Sequence, residues 1–316
     1  MDDSRKYFAV FGNPILHSRS PQLYNGLFPS DGVNARYTRI HTGSGKSVCE
    51  IIRMAGLSGA NITTPFKEEV VPFLERLSPD SELISAVNTI ISRNGELTGY
   101  NTDAYGLAGS LREAGISLPG KKCMVMGAGG AGKAAVIGLK NAGADVMITN
   151  RTPGKAFEFA SRAGCWFTGM EEAVKSLKSY DVLVLTLPPG IYPFGPENVH
   201  KDLIIVDANY RSPSDTAGTD KFRCRVIKGD RWLLHQAVEA YRLFTGKDAD
   251  IQLMEKGLRK TPDPGNISVR VIGDWRSEFT DDYAGADMLV DGRNLDEEEL
   301  KSIIDEEKHR AFKGSG

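Results

Sequence analysis

At 316 residues, with 41% hydrophobic and 25% charged side chains, the chain has an ordinary globular composition and enough length for two domains with cores of their own. Its 39 basic and 41 acidic residues leave a formal charge of −2, which provides no general attraction to nucleic acid or to an anionic bilayer and points instead to a small-molecule partner or none. The apolar run in MDDSRKYFAVFGNP is too short for a signal-peptide core and no stretch reaches the span of a bilayer, so a cytoplasmic location is expected. Cys49, Cys123, Cys165 and Cys224 lie far apart with no C-x-x-C pair, and no cluster has metal-ligand spacing; neither a metal site nor a disulfide framework is expected.

The first third alternates β-like runs with helical stretches: Tyr7 to Gly12, a segment opening at Ser20-Pro21, Ala35 to Thr42, and Gly59 to Thr63. Such alternation predicts a mostly parallel sheet with helices packed on it. In GNPILHSRSP, Ser18 and Ser20 stand two residues apart, so an extended backbone turns both hydroxyls the same way, a pairing suited to a carboxylate or a polyol. A helix N-cap at Ser20 before Pro21 accounts for the same residues equally well. His17 reads as a local hydrogen-bonder beside the turn. NITTPFK adds Asn61, Thr63 and Lys67, AVNT adds Asn88 and Thr89, and YNTDAYG adds Asn101 and Asp103. Three amide-and-hydroxyl turns at strand ends of one α/β domain would gather at the carboxyl edge of its sheet, where such folds bind ligands. Between them, Asn94-Gly95 in NTIISRNGELTGYN predicts a hairpin and an antiparallel sheet edge.

From Lys121 the rhythm restarts. KCMVMG predicts a strand, MGAGGAGKAA a glycine-rich turn into a helix ending near Asn141, and ADVMITN, DVLVLTL, LIIVDAN and RVIKG further strands. The turn satisfies Gly127-x-Gly129-x-x-Gly132 for a dinucleotide and most of a mononucleotide P-loop through Gly132-Lys133. Ala134 stands where a P-loop needs a hydroxyl for Mg²⁺, which removes a metal ligand and leaves the dinucleotide reading. Lys133 then becomes an ordinary helix residue. At the end of the next strand, Asn150-Arg151-Thr152 with Lys155 replaces the acid that would bind the ribose of NAD; an Arg meets a 2′-phosphate where an Asp would repel it, so NADP is favoured. LLHQAVEAYRLFTG after Trp232 and a segment from Asp248 to Leu258 read as helices, and TPDPG breaks the chain after them.

In order along the chain, G-N-P-I-x-H-S-x-S-P, N-x-T-x-P-F-K, A-V-N-T, N-T-D-x-x-G, G-A-G-G-A and N-R-T resemble the shikimate dehydrogenases, over roughly Tyr7 to Leu258. That resemblance implies reduction of 3-dehydroshikimate to shikimate with NADPH. It implies a substrate site of Ser18, Ser20, Asn61, Thr63, Lys67, Asn88, Asp103, Tyr210 and Gln236, with the two serines on the carboxylate and Lys67 and Asp103 catalytic. It also places Gly127, Ala128, Gly129, Gly130, Ala131, Asn150, Arg151, Thr152, Lys155 and Gly229 at the cofactor. The chemistry agrees, because ketone reduction needs a hydride from the nicotinamide and a proton for the forming alkoxide, which a Lys can give and an Asp can orient.

The expected architecture is therefore a two-domain α/β chain. Residues 1–104 form an N-terminal α/β substrate-binding and catalytic domain to which helices in 233–258 return, residues 105–232 form a Rossmann-type NADP domain, and 261–316 form a small C-terminal extension. The extension reads as two strand-like pieces and an acidic helix with a solvated face, without a catalytic constellation of its own. Departures from the family pattern fall at Leu185-Thr186-Leu187, where Asn-Ala-Thr is usual, and at Gly229-Asp230-Arg231-Trp232-Leu233 for Gly-x-Gly-Met-Leu. Trp232 is expected to pack on the nicotinamide face or narrow the entrance. An enzyme of broader specificity that also takes quinate, and a non-catalytic sensor of NADP or shikimate, are the alternatives; the state is expected to be monomer or homodimer.

Overall fold

Strands β1 (Lys6–Gly12), β2 (Ala35–His41) and β3 (Gly59–Ile62) run parallel, with β1 between the other two. Their last five, last five and all four residues respectively are buried, the near-continuous burial of strands covered on both faces. Helices α1 (Ser20–Ser30), α2 (Gly45–Met54) and α3 (Phe66–Glu69) follow them in turn. The computed structural model describes residues 5–209, 221–259 and 267–312. Its contacts divide into a first unit of Met1–Ser81, Ser85–Tyr100 and Ala240–Gly316 and a second of Glu82–Ile84 and Asn101–Glu239.

After β4 (Arg76–Leu77) and α4 (Pro79–Ile84) come β5 (Thr89–Arg93) and β6 (Glu96–Tyr100), the expected antiparallel hairpin. Asn94 and Gly95 turn it with φ of 52° and 81°, the left-handed pair that a two-residue turn needs to match strand twist. The hairpin does not form the sheet edge, however: β4 pairs parallel to β6 outside it.

The second unit carries α5 (Asp103–Glu113), β7 (Lys122–Met126), α6 (Gly130–Asn141), β8 (Asp145–Thr149), α7 (Pro153–Ala163), β9 (Trp166–Phe167), α8 (Met170–Ser176), β10 (Val182–Leu185), β11 (Ile204–Asp207) and β12 (Arg225–Lys228). Its parallel sheet runs β12-β11-β10-β7-β8-β9, so the chain leaves central β7 first to one side and then to the other. The switch point of such a doubly wound sheet lies at the carboxyl end of β7, where the glycine turn sits. Helix α9 (Gly229–Thr245) starts at Gly229, ahead of the Leu233 expected from apolar spacing, and its residues from Ala240 belong to the first unit. α10 (Ile251–Leu258) then packs on α1, close enough that a Cβ on Gly257 would stand 2.5 Å from the Gln22 carbonyl oxygen.

Beyond residue 266 the chain forms β13 (Val269–Ile272), α11 (Asp281–Ala284), β14 (Met288–Asp291) and α12 (Glu297–Phe312). β14 pairs parallel to β2 and β13 to β14, giving an eight-stranded sheet β13-β14-β2-β1-β3-β5-β6-β4. The extension shares the first unit's core: Ile272, Trp275 and Leu289 belong to the same buried cluster as Ala9, Phe11, Ile40 and Ile52. At roughly 25 cal/mol per Å² of apolar surface, a buried indole alone contributes a few kcal/mol, so these residues stabilise the sheet rather than decorate it.

Candidate active site

In the first unit, the carboxyl ends of β1 and β3 lie side by side, and antiparallel β5 begins there, with Thr89 opposite Asn61. β1 ends at Gly12 and leads into the loop bearing Ser18. The Ser18 hydroxyl donates to the Ser20 hydroxyl at 3.3 Å, so the two oxygens do share one side of the backbone. The capping alternative for Ser20 does not hold, since the N-cap of α1 is Arg19 and Ser20 is already helical. β3 leads through half-buried Thr63, whose N–H donates to the Phe11 carbonyl at 2.9 Å, to half-buried Lys67 in α3.

Asn61 and Asn88, 7% and 3% exposed, form one network with Thr89. The Asn61 amide donates to the Thr89 hydroxyl at 3.0 Å and the Asn88 carbonyl at 3.3 Å, while the Thr89 hydroxyl donates to Asn88 Oδ1 at 3.0 Å. Such satisfied networks fix buried polar side chains in one orientation. Tyr37, unforeseen from the sequence, donates its hydroxyl to Asn61 Oδ1 at 2.6 Å and also hydrogen-bonds Ser20. Burial pushes the Tyr37 phenol well above its ordinary pKa, keeping it protonated and able to donate.

In the second unit, the Asp103 N–H at the start of α5 donates to Asn101 Oδ1 at 3.1 Å, a local turn that sets the helix entry. Gln236 takes the Thr102 hydroxyl on Oε1 at 3.2 Å and donates Nε2 to the Leu233 carbonyl at 3.0 Å. Trp232 corrects the sequence expectation. It is 5% exposed, donates its indole N–H to the Asp103 carbonyl at 2.7 Å, and fills the space beside Gly106, where a Cβ would meet it at 2.8 Å. The ring is thus committed to the start of α5. Arg231 pairs with the Glu113 carboxylate, which His235 also faces at 3.2 Å; the Arg231 hydrogen bond in particular holds the Glu113 carboxyl below its ordinary pKa.

The glycine turn joins β7 to α6 with Gly129 as N-cap and Gly127 at φ 119°. Two of its glycines are needed for packing: a Cβ on Gly127 would stand 2.3 Å from Thr186 Oγ1, and one on Gly132 2.0 Å from the Gly127 carbonyl oxygen. Gly129 and Gly130 face open space, with nothing within 4 Å of a Cβ at either. A bare backbone opening at the N-terminus of a twelve-residue helix fits a pyrophosphate. Asn150 reaches back from the end of β8 to accept the Ala128 N–H at 3.4 Å, and Arg151, Thr152 and Lys155 are exposed beyond it. Thr186, one of the departures from the family pattern, donates to the Met126 carbonyl at 3.2 Å and so braces the turn. Lys133 is anchored on the Ile84 carbonyl at 3.5 Å and above the Phe159 ring, away from a P-loop lysine's task. Gly229 begins α9, where a Cβ would stand 2.5 Å from the Ala208 carbonyl oxygen. Tyr210 lies outside the described residues.

Fold and site together define a two-unit α/β oxidoreductase of the dinucleotide-binding class. Residues 10–90 match the family model for the shikimate dehydrogenase substrate binding domain, residues 233–259 that for the shikimate 5′-dehydrogenase C-terminal domain, and residues 122–210 the NADP oxidoreductase, coenzyme F420-dependent model. The shikimate dehydrogenase (NADP(+)) of Methanothermobacter thermautotrophicus is 35% identical over 270 residues, 80% of this chain and 95% of that protein. The crystal structure of shikimate 5-dehydrogenase from Thermus thermophilus in complex with NADP(H) and shikimate is 31% identical with a TM-score of 0.71, over 80% of this chain and 98% of that one. Quinate dehydrogenase from Corynebacterium glutamicum in complex with NAD is 26% identical with a TM-score of 0.71, over 81% and 98%. The chain belongs to the shikimate dehydrogenase family.

Proposed function

We propose that this chain catalyses the NADPH-dependent, reversible reduction of 3-dehydroshikimate to shikimate, with the first unit supplying Ser18, Ser20, Asn61, Thr63, Lys67 and Asn88 to the substrate and the second supplying Asp103, Gln236 and the NADP turn. The observation that supports the cofactor half is the open backbone at Gly129 and Gly130 above glycines that packing requires. For the substrate half it is the paired hydroxyls of Ser18 and Ser20 beside the Asn61–Asn88–Thr89 network.

Ser18 and Ser20 take the substrate carboxylate, with Asn61 and Thr63 lining the same strand edge. Asn88, Lys67, Asp103 and Gln236, with Tyr210, take the ring hydroxyls. Gly127 to Ala131 and Gly229 hold the dinucleotide, Asn150 and Thr152 border it, and Arg151 and Lys155 meet its 2′-phosphate. Bound there, the dinucleotide supplies the hydride. Lys67 delivers a proton to the carbonyl oxygen as it becomes an alkoxide, and Asp103 orients that ammonium and holds the neighbouring hydroxyl; oxidation runs both steps backwards. No helix among the described residues is long and apolar enough to cross a membrane. We infer a cytoplasmic enzyme, monomeric or homodimeric, with small-molecule partners only.

The test is purified protein with shikimate or quinate and NADP⁺ or NAD⁺, following absorbance of the reduced cofactor. Turnover fastest with shikimate and NADP⁺ is expected; preference for quinate selects the broader enzyme, and NADPH binding without any turnover sinks the catalytic reading. Lys67→Ala is expected to lower kcat by a factor of about 100 or more, the range of a lost general acid, with a much smaller effect on substrate KM.

A further inference from the structure

The acidic helix α12 is not simply a solvated face. Glu307 within it is 1% exposed, and a buried carboxylate costs several kcal/mol unless it is paired and hydrogen-bonded. Its partners lie in the loop after β1 and at the end of β2. The Ile15 N–H donates to its two oxygens at 2.8 and 2.9 Å, the Leu16 N–H to Oε2 at 2.9 Å, and His41 Nδ1 lies 2.7 Å from Oε1. A carboxylate on two consecutive backbone amides is a strong, charge-assisted clamp.

The same loop is also held by Arg39, which is 2% exposed. Arg39 Nε donates to the Ser18 carbonyl at 2.8 Å and Nη2 to Gln22 Oε1 at 2.8 Å, while Nη1 donates to the carbonyl of Asp287, in the extension, at 2.9 Å. Two separate parts of the extension therefore bear on the short segment that presents Ser18 and Ser20. The family match in this region ends at residue 259, so both contacts come from chain beyond it.

We propose that Glu307 is a positioning residue for substrate binding: by clamping the Ile15 and Leu16 amides it holds the loop in the conformation that sets the Ser18 and Ser20 hydroxyls side by side for the substrate carboxylate. The proposal rests on the reading of Ser18 and Ser20 as carboxylate ligands. It predicts an effect on shikimate KM that stability alone does not produce. A loop freed to sample other conformations binds with an affinity reduced by the fraction of time it spends in the competent one.

The experiment compares full-length wild type with Glu307→Ala, Glu307→Gln and Ser18→Ala, measuring kcat, KM for shikimate, KM for NADP⁺ and Tm. Glu307→Ala is expected to raise shikimate KM by about tenfold or more, with kcat within about threefold and NADP⁺ KM unchanged. Glu307→Gln keeps the shape and one acceptor for the two amides, so its KM is expected to rise by only about threefold. If Glu307→Ala does not fold, the Gln variant decides. A lower Tm with wild-type shikimate KM in the variants that fold is the signature of purely structural support and overturns the proposal. Raised KM in Ser18→Ala beside wild-type KM in the Glu307 variants overturns the clamp alone; wild-type KM in Ser18→Ala removes its premise and overturns the reading of the serines with it.

Discussion

Trp232 donates its indole N–H to the backbone carbonyl of Asp103 across 2.7 Å, and its ring lies against Gly106 one turn further along α5. The residue that the sequence marks as a departure from the family pattern thus supports the backbone of the proposed catalytic carboxylate. Trp232→Phe keeps most of the apolar contact but leaves the Asp103 carbonyl without the indole. We expect kcat to fall by roughly three- to tenfold, the equivalent of a lost hydrogen bond of about 1 kcal/mol, with NADP⁺ KM unchanged. Steady-state kinetics with saturating shikimate would check it; wild-type kcat would reduce Trp232 to a core residue.

The glycine turn yields opposite expectations at neighbouring positions. Gly132→Ala forces a methyl to within 2.0 Å of the Gly127 carbonyl, backbone that cannot move without shifting α6. A loss of about 1–3 kcal/mol or more is expected, with a lower Tm and weakened NADPH binding together. Gly130→Ala meets nothing within 4 Å. It should melt at or above the wild-type temperature yet bind NADPH about tenfold more weakly, because the methyl enters the space the pyrophosphate needs. Thermal melts and NADPH fluorescence titration on both variants separate packing from binding, and wild-type affinity in Gly130→Ala would move the phosphates elsewhere.

Arg151 is exposed at the carboxyl end of β8, and the hydrogen bonds of the turn, from Ala128 to Asn150 and from Asn150 to the Thr152 carbonyl, do not involve its side chain. Its removal should therefore cost little stability. Arg151→Ala is expected to raise NADP⁺ KM by about tenfold or more, in line with roughly 1.5–3 kcal/mol for a hydrogen bond to a charged group. KM for NAD⁺, which lacks the 2′-phosphate, should stay unchanged, and equal effects on both cofactors would remove the phosphate role.

Asp291, at the end of β14, is 7% exposed. Burial opposes its ionisation, but the Arg293 guanidinium, the Trp275 indole and the Thr42 hydroxyl outweigh that and hold its carboxyl below the usual Asp value. A carboxyl depressed in the folded state stabilises it fully above the unfolded pKa of about 3.9 and loses that contribution as pH falls through the lower folded value. Asp291→Asn should therefore melt below wild type at neutral pH, and the gap should narrow as pH drops below about 4. A gap independent of pH would attribute the loss to the amide's geometry and not to the carboxylate's charge.

Several elements were legible because their signal is local. Asn94-Gly95 specifies a two-residue turn wherever it occurs between strands, and Gly127 and Gly132 mark a strand-to-helix turn because nothing larger fits at either position, while Gly129 leaves its backbone open. The amide-rich turns at Asn61, Asn88 and Asn101 were legible as candidates by residue type, although the bonding of Asn61 and Asn88 through Thr89 was not. β4 was missed: two residues, Arg76 and Leu77, are too few for a period, and their pairing with β6 is made by backbone.

The sequence by itself determined the two α/β units, the glycine turn and the residue types available for binding a carboxylate, hydroxyls and a dinucleotide, since these depend on periodicity and on side chains whose chemistry is the same in any context. Only the tertiary structure decided that the extension completes the first unit's sheet beside β2, that Trp232 serves the start of α5, and that Glu307 clamps Ile15 and Leu16. In each case the partner is a backbone N–H, a backbone carbonyl or a strand edge. Every residue but proline carries those groups, so no pattern of side chains can announce which of them a distant residue will find.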